Sequence, residues 1–157
     1  MNVTTAIVLP LLIGVIAGLR AMTAPAAISL AARAGRLDLT TTKLAFLGYA
    51  YTPWIFTALA LVELVTDQLP TTPSRTVPIQ FGTRILMGGL TGGAIGASSG
   101  ALAIGVIAGI VGAVIGTLGG RAVRGRLAAA FGSDRPAAIV EDLIAIGGAF
   151  LIVAVLP

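Results

Sequence analysis

Residues 84–120 read RILMGGLTGGAIGASSGALAIGVIAGIVGAVIGTLGG. Gly88, Gly92, Gly96 and Gly100 recur every fourth residue, Gly105 and Gly109 repeat the interval, and Gly112, Gly116 and Gly120 extend it. Residues four apart share one face of a helix. In an apolar segment such small-residue faces let two backbones approach closely. At ~1.5 Å per residue the stretch is far longer than one bilayer crossing. Ser98-Ser99-Gly100 is the natural break. The pattern predicts two helices, about 82–97 and 101–120, packed as a tight hairpin.

The rest of the chain has the same character. Of its 157 residues 57% are hydrophobic and 10% charged, with a mean hydropathy of +1.03, whereas soluble domains carry roughly a quarter charged residues. An all-α integral membrane bundle, one domain over 1–157, is therefore expected. A first span runs from about Thr5 to Leu19 and closes on Arg20. Pro25 opens a short helix, Ala26 to Ala34, which either re-enters the membrane or continues the first span through a kink. A second long span is expected from Leu44 to Val65, with Tyr49, Tyr51 and Trp54 at the interfacial level. Prolines 70, 73 and 78 make the next stretch irregular. Arg121, Arg124 and Arg126 follow the hairpin on an amphipathic extension, and a last span covers Ala137 to Val155. The total is about five spans and one short or re-entrant helix. The leader Met1–Thr5 lacks the Lys or Arg of a signal peptide, so residues 6–19 read as a retained span.

Cys and His are absent, which removes thiol chemistry and the usual zinc and haem ligands. No metal and no cofactor is expected. No nucleophile–base pair is present, and Gly92-Gly93 lacks the Lys-Ser/Thr ending of a phosphate-binding loop; an enzyme is not expected. The net charge of +4 is scattered beside the spans, where Arg and Lys set membrane orientation, so nucleic acid is not an expected partner. Small-residue faces fit a homodimer in the lipid bilayer.

Ile13–Gly18 recurs letter for letter as Ile104–Gly109, and Pro25–Ile28 as Pro136–Ile139. Three spans cross between the basic connections 20–43 and 121–136, which then face opposite sides, so half-repeats of about 1–70 and 80–157 would be inverted, as in many transporters. Chance recurrence in a chain of Gly, Ala, Ile and Val is the plainer reading. Arg75, Arg84, Arg121, Arg124, Arg126 and Arg135 outnumber Arg20, Arg33, Arg36 and Lys43, which favours a cytoplasmic N-terminus, with dual orientation as the alternative.

Charges inside spans cost roughly 2.5–3.5 kcal/mol on insertion scales, so they pair or do work. The candidates are Arg20, Glu63, Asp67, Arg84, Glu141 and Asp142. Glu63 and Asp67 share a helix face, and Arg84 heads the face of Gly88 and Gly92. One reading gathers the six as a polar site, with Glu63 beside Arg20; the other leaves them snorkelling at span ends, Asp67 and Arg84 above all. Arg121, Arg124 and Arg126 read as an interfacial basic helix, with a specific ligand site as the alternative. Ser74-Arg75-Thr76 suits a lipid phosphate or is a plain loop. Gly14, Gly18, Gly88, Gly92, Gly96, Gly105, Gly109, Gly112 and Gly116 are read as packing positions.

Gly18-Leu19-Arg20-Ala21, Glu63 to Asp67 with Leu69-Pro70, and Glu141-Asp142-Leu143 with Ala145 and Gly147 resemble a family of small bacterial integral membrane proteins described as a domain of unknown function. The likeness extends over nearly the whole chain, although the glycine ladder is denser than the family implies. It implies the bacterial cytoplasmic membrane and no particular activity. The expected function is a small transporter or exporter that uses the charged residues for a proton, an ion or a small anionic solute. The alternative is a non-transporting protein that binds lipid headgroups or a protein partner.

Overall fold

The computed structural model describes residues 4–68 and 76–156. Among them the chain is helical, without strands: α1 Leu9–Leu19, α2 Thr23–Arg33, α3 Thr52–Thr66, α4 Pro78–Ser98, α5 Leu102–Phe131 and α6 Asp134–Ala154. A π-type turn at Thr4–Val8 leads into α1, and a 3₁₀ turn at Ala45–Gly48 precedes α3. Proline sets most of these starts. Pro10, Pro25, Pro53, Pro78 and Pro136 each stand in the first turn of a helix, where a missing N–H breaks no intrahelical bond. Gly100 and Gly132, at φ 72° and 67°, end α4 and α5 in the left-handed conformation that glycine adopts without strain.

Two boundaries differ from the sequence reading. Residues 44–65 are not one helix, because Pro53 cannot donate to the carbonyl of Tyr49 and disfavours a helical residue before it. The 3₁₀ turn and a break at 49–51 take up the first third, and α3 is 15 residues long. α5 runs on without interruption through Arg121, Arg124 and Arg126, and its 30 residues extend about 45 Å.

α1, α4 and α5 form the tightest part of the bundle. A methyl group at Gly92 would meet the Gly105 carbonyl oxygen, one at Gly109 that of Gly88, and one at Gly96 that of Ala101. α4 and α5 are therefore antiparallel and in backbone contact. Gly14 and Gly18 of α1 likewise meet Gly109 and Ala113, and Gly112 and Gly116 meet Leu11 and Val15. That order makes α1 parallel to α5.

α2 does not prolong α1. Arg20 lies beside Asp142, whereas Arg36, just past α2, donates to the carbonyls of Val153 and Ala154. α2 thus runs in the same sense as α6, back toward the end where α1 began. This corrects the inverted repeat: the segments that share Ile-Gly-Val-Ile-Ala-Gly run parallel, as do the two that share Pro-Ala-Ala-Ile. The reason is the turn at Arg20–Met22, which makes α2 a separate return pass, so that three helices, α2, α3 and α4, separate α1 from α5 in place of two spans. The beginning of α1, residues 34–51, the α4–α5 turn and residue 155 lie at one end of the bundle, and the α5–α6 turn at the other.

The interior is Ala, Gly and Ile, with Arg20 and Arg84 its largest fully buried side chains. The exterior is greasy. Ile55, Leu61, Val62 and Val65 of α3, Ile107, Ile115 and Leu118 of α5, and Leu143, Phe150 and Leu151 of α6 are all exposed. α5 and α6 are long and apolar enough to cross a membrane, and Ala6–Leu19 and Thr52–Thr66 are shorter apolar helices.

Gly109→Ala is expected to lower stability by about 1–3 kcal/mol, because the added methyl overlaps backbone that cannot yield. Gly119→Ala, with nothing within 4 Å, is expected to be neutral or up to ~1 kcal/mol stabilising through helix propensity. Thermal unfolding of both variants in detergent, followed by circular dichroism, checks the contrast.

Candidate functional site

The site is built around the turn between α1 and α2. A helix that stops inside a bundle leaves unpaired carbonyls at its end, and one that starts there leaves unpaired N–H groups. Both sets are met by charged side chains from other helices. Arg84 of α4 donates from Nη1 to the carbonyls of Gly18 and Leu19, at 2.9 and 2.7 Å. The Thr117 hydroxyl adds a 3.2 Å bond to Gly18. Glu63 of α3 accepts from the N–H groups of Ala21 and Met22, both at 2.8 Å. A cation thus closes the negative end of α1 and an anion the positive end of α2, the sign the helix dipoles favour.

Arg20 sits in the turn itself, wholly buried. Its Nη1 pairs with Asp67, and its Nη2 lies 2.6 Å from Asp142 Oδ1 and 3.8 Å from Glu141 Oε2. The 2.6 Å approach is a charge contact whose angles fall outside hydrogen-bond geometry. Arg84 Nη2 lies 3.7 Å from Glu63 and 3.8 Å from Asp67. All six residues singled out in the sequence therefore meet in one cluster, with Asp67 between the two guanidinium groups.

Three expectations need correction. Glu63 serves the α2 amides and Arg84, and Asp67 takes the place beside Arg20. Arg84 does not snorkel: it is 1% exposed, because the α1 carbonyls hold it inside. Asp67 does not snorkel either, since its side chain keeps 14% of its exposure. Of the suggested phosphate contact, Thr76 accepts a 3.3 Å bond from Arg121; Ser74 and Arg75, with Leu69 and Pro70, lie outside the described residues.

Arg124 belongs to the cluster and was read from sequence as interfacial. It donates to Asp134 at 2.9 and 2.5 Å, to Glu141 at 3.3 Å and to the Asp67 carbonyl at 3.3 Å. Its register is the signal that finds it: residues 124 and 141 are equidistant from the Gly132–Ser133 turn, so an antiparallel α5–α6 pair puts them at one level. Gln68 reaches Asp142 at 3.4 Å.

Glu63, Asp67, Asp134, Glu141 and Asp142 are five of the chain's six acids. Among the described residues they face Arg20, Arg84 and Arg124. Among the described residues no three potential ligand side chains are grouped to hold a metal ion; guanidinium groups stand between the carboxylates. The sixth acid, Asp38, lies apart in the 34–51 connection, where the hydroxyl and N–H of Thr40 hold its carboxyl below the ordinary range.

Removing one member of a buried ion pair leaves the other uncompensated, at about 3–5 kcal/mol. Arg20→Met is expected to lose that much. Adding Asp67→Asn is expected to return part of it, as a coupling of about 0.5–3 kcal/mol in a double-mutant cycle. Equilibrium unfolding in detergent measures both.

No curated protein and no solved structure matches the chain. A family model, a domain of unknown function (DUF4126), matches residues 7–156. Since it takes in every α-helix and the whole charged cluster, the chain belongs to the DUF4126 family.

Proposed function

We propose that the chain is a multi-pass protein of the bacterial cytoplasmic membrane, without enzymatic activity, that transports a proton or another small cation through the charged cluster. In this reading α3 to α6 cross the bilayer, and the α1–α2 hairpin enters it and turns back at Arg20–Met22. The greasy exterior and charged interior support the membrane placement, since lipid-facing positions favour apolar side chains and intramembrane charges face the bundle interior. Exposed basic residues stand at both ends, Arg121, Arg126 and Arg135 at the cluster end and Arg33, Arg36 and Lys43 at the other, so the positive-inside rule selects neither orientation.

The observation that carries the transport reading is the cluster itself, in which Glu63, Asp67, Glu141 and Asp142 meet Arg20, Arg84 and Arg124 around an interrupted helix. Buried carboxylates grouped in this way are the parts of which proton and cation relays are made. The broken helix adds a second support, because interrupted helices with charged groups at their ends line ion sites in many transporters.

Asp142 and Glu141 are the acids placed for exchange, and Glu63 holds the α2 start. Glu141→Gln and Asp142→Asn in reconstituted vesicles are expected to cut a proton, sodium or potassium flux at least about tenfold, a barrier change of ~1.4 kcal/mol, with the assembled protein intact. Wild-type vesicles that carry none of these ions overturn the reading.

A further inference from the structure

Two openings lead toward the adjacent acids of α6, and they differ in kind. Glu141 lines a groove between α1, α5 and α6 whose other walls, apart from Arg124, are apolar. Gln68 lines a cleft of about 360 Å³ with Leu64, Val65 and Arg135, and its Nε2 donates to Asp142 Oδ2 at 3.4 Å. Gln68 and Arg135 are both exposed. A proton on water, or a hydrated ion, loses its hydration along apolar walls at high cost. The cleft offers it an amide and a guanidinium at the surface.

The register of α6 sets the cleft over Asp142. Arg135 and Asp142 are seven residues apart, about two turns, so they lie nearly in line along one face of the helix. Arg135 is exposed at the outer end of that line, and Asp142, about 10 Å further in, is buried. On its inner side Asp142 faces Arg20, whose Nη2 lies 2.6 Å from Oδ1. On its outer side the partner is the Gln68 amide, at a distance beyond the usual range of such a bond. Among the described residues this is the longest hydrogen bond in the cluster, and its donor carries no charge. It is therefore the tie that gives way most easily. When the amide turns aside, the carboxylate faces the cleft while Arg20 still compensates its charge.

We infer that this cleft is the aqueous entrance to the charged cluster, ending at Asp142, and that Gln68 is the positioning residue that closes it. The inference rests on the proposed transport function and deepens it by naming the route. The proton or small cation reaches the acids from water, between the end of α3 and the start of α6, and the apolar groove beside Glu141 lies off the path.

The chain has no cysteine, so an introduced thiol is the only one, and it reacts with a methanethiosulfonate where water lets the thiolate form. The test labels single-cysteine variants of the full chain in nanodiscs, which expose both faces, and reads the rate by intact mass. Gln68→Cys is expected to react far faster than Ala145→Cys, which is buried one turn deeper than Asp142. Adding Arg135→Glu to Gln68→Cys is expected to shift the ratio of rates at least about tenfold from the sulfonate reagent toward the trimethylammonium reagent. Adding Gln68→Ala is expected to speed Asp142→Cys at least about tenfold. The same is expected of Ala138→Cys, buried on the same line of α6 with every ion pair intact, while Ala145→Cys stays slow. Thermal unfolding shows that each variant is folded. Gln68→Cys that reacts no faster than Ala145→Cys overturns the entrance. Gln68→Ala that leaves Ala138→Cys slow, or that speeds Ala145→Cys as well, overturns the closing role. In vesicles, modification of Gln68→Cys is expected to cut the ion flux at least about tenfold. Flux that survives full modification overturns the route alone. The expected labelling in a protein whose wild type carries no ion upholds the aqueous cleft and overturns transport.

Discussion

The fold depends on a helix that is interrupted inside the bundle. Pro25 prevents α1 from running on, and the turn at Arg20–Met22 leaves the last carbonyls of α1 and the first N–H groups of α2 without helical partners. Arg84 and Glu63 satisfy those groups from α4 and α3. Each would itself be costly to bury alone. The unpaired backbone and the unpaired charges are thus solutions to each other, and the ties join elements far apart in sequence. Arg20 extends the same network to α6.

Close packing and charge burial act together at this point. Glycine faces bring α1, α4 and α5 into backbone contact, which leaves little room between them for large side chains. Such side chains are displaced to the exterior, where the apolar ones face outward along α3, α5 and α6. Arg20 and Arg84 stay inside because only there do carboxylates and helix ends meet them. The result is a molecule with its greasiest residues outside and its strongest charges inside. That distribution is costly in water and inexpensive in hydrocarbon.

Much of this was legible in the sequence. The four-residue glycine interval depends only on helical geometry, and it located α4, α5 and the break at Gly100. The six charged residues stood out because they interrupt apolar segments. What stayed hidden depends on relative direction. A sequence does not state whether a helix that ends at Arg20 continues or turns back, and the inverted repeat fell with that choice. The partner of Arg20 was missed for a related reason: Glu63 and Asp67 share a face, and only the position of the α2 amides decides which of them turns to the guanidinium. Pro53 was an available signal that went unused, since it forbids the long helix assumed across residues 44–65.

The two adjacent acids of α6 show how one helix can serve two environments. Consecutive residues on a helix point about 100° apart, given 3.6 residues per turn. Glu141 faces Arg124 and the apolar groove, and Asp142 faces Arg20 and Gln68. Gln68 in turn lines a separate cleft with Leu64, Val65 and Arg135. Arg20 approaches both acids, at 2.6 and 3.8 Å. A single buried guanidinium is thus shared between the two faces of α6, and it ties the acid on the groove side to the acid on the cleft side.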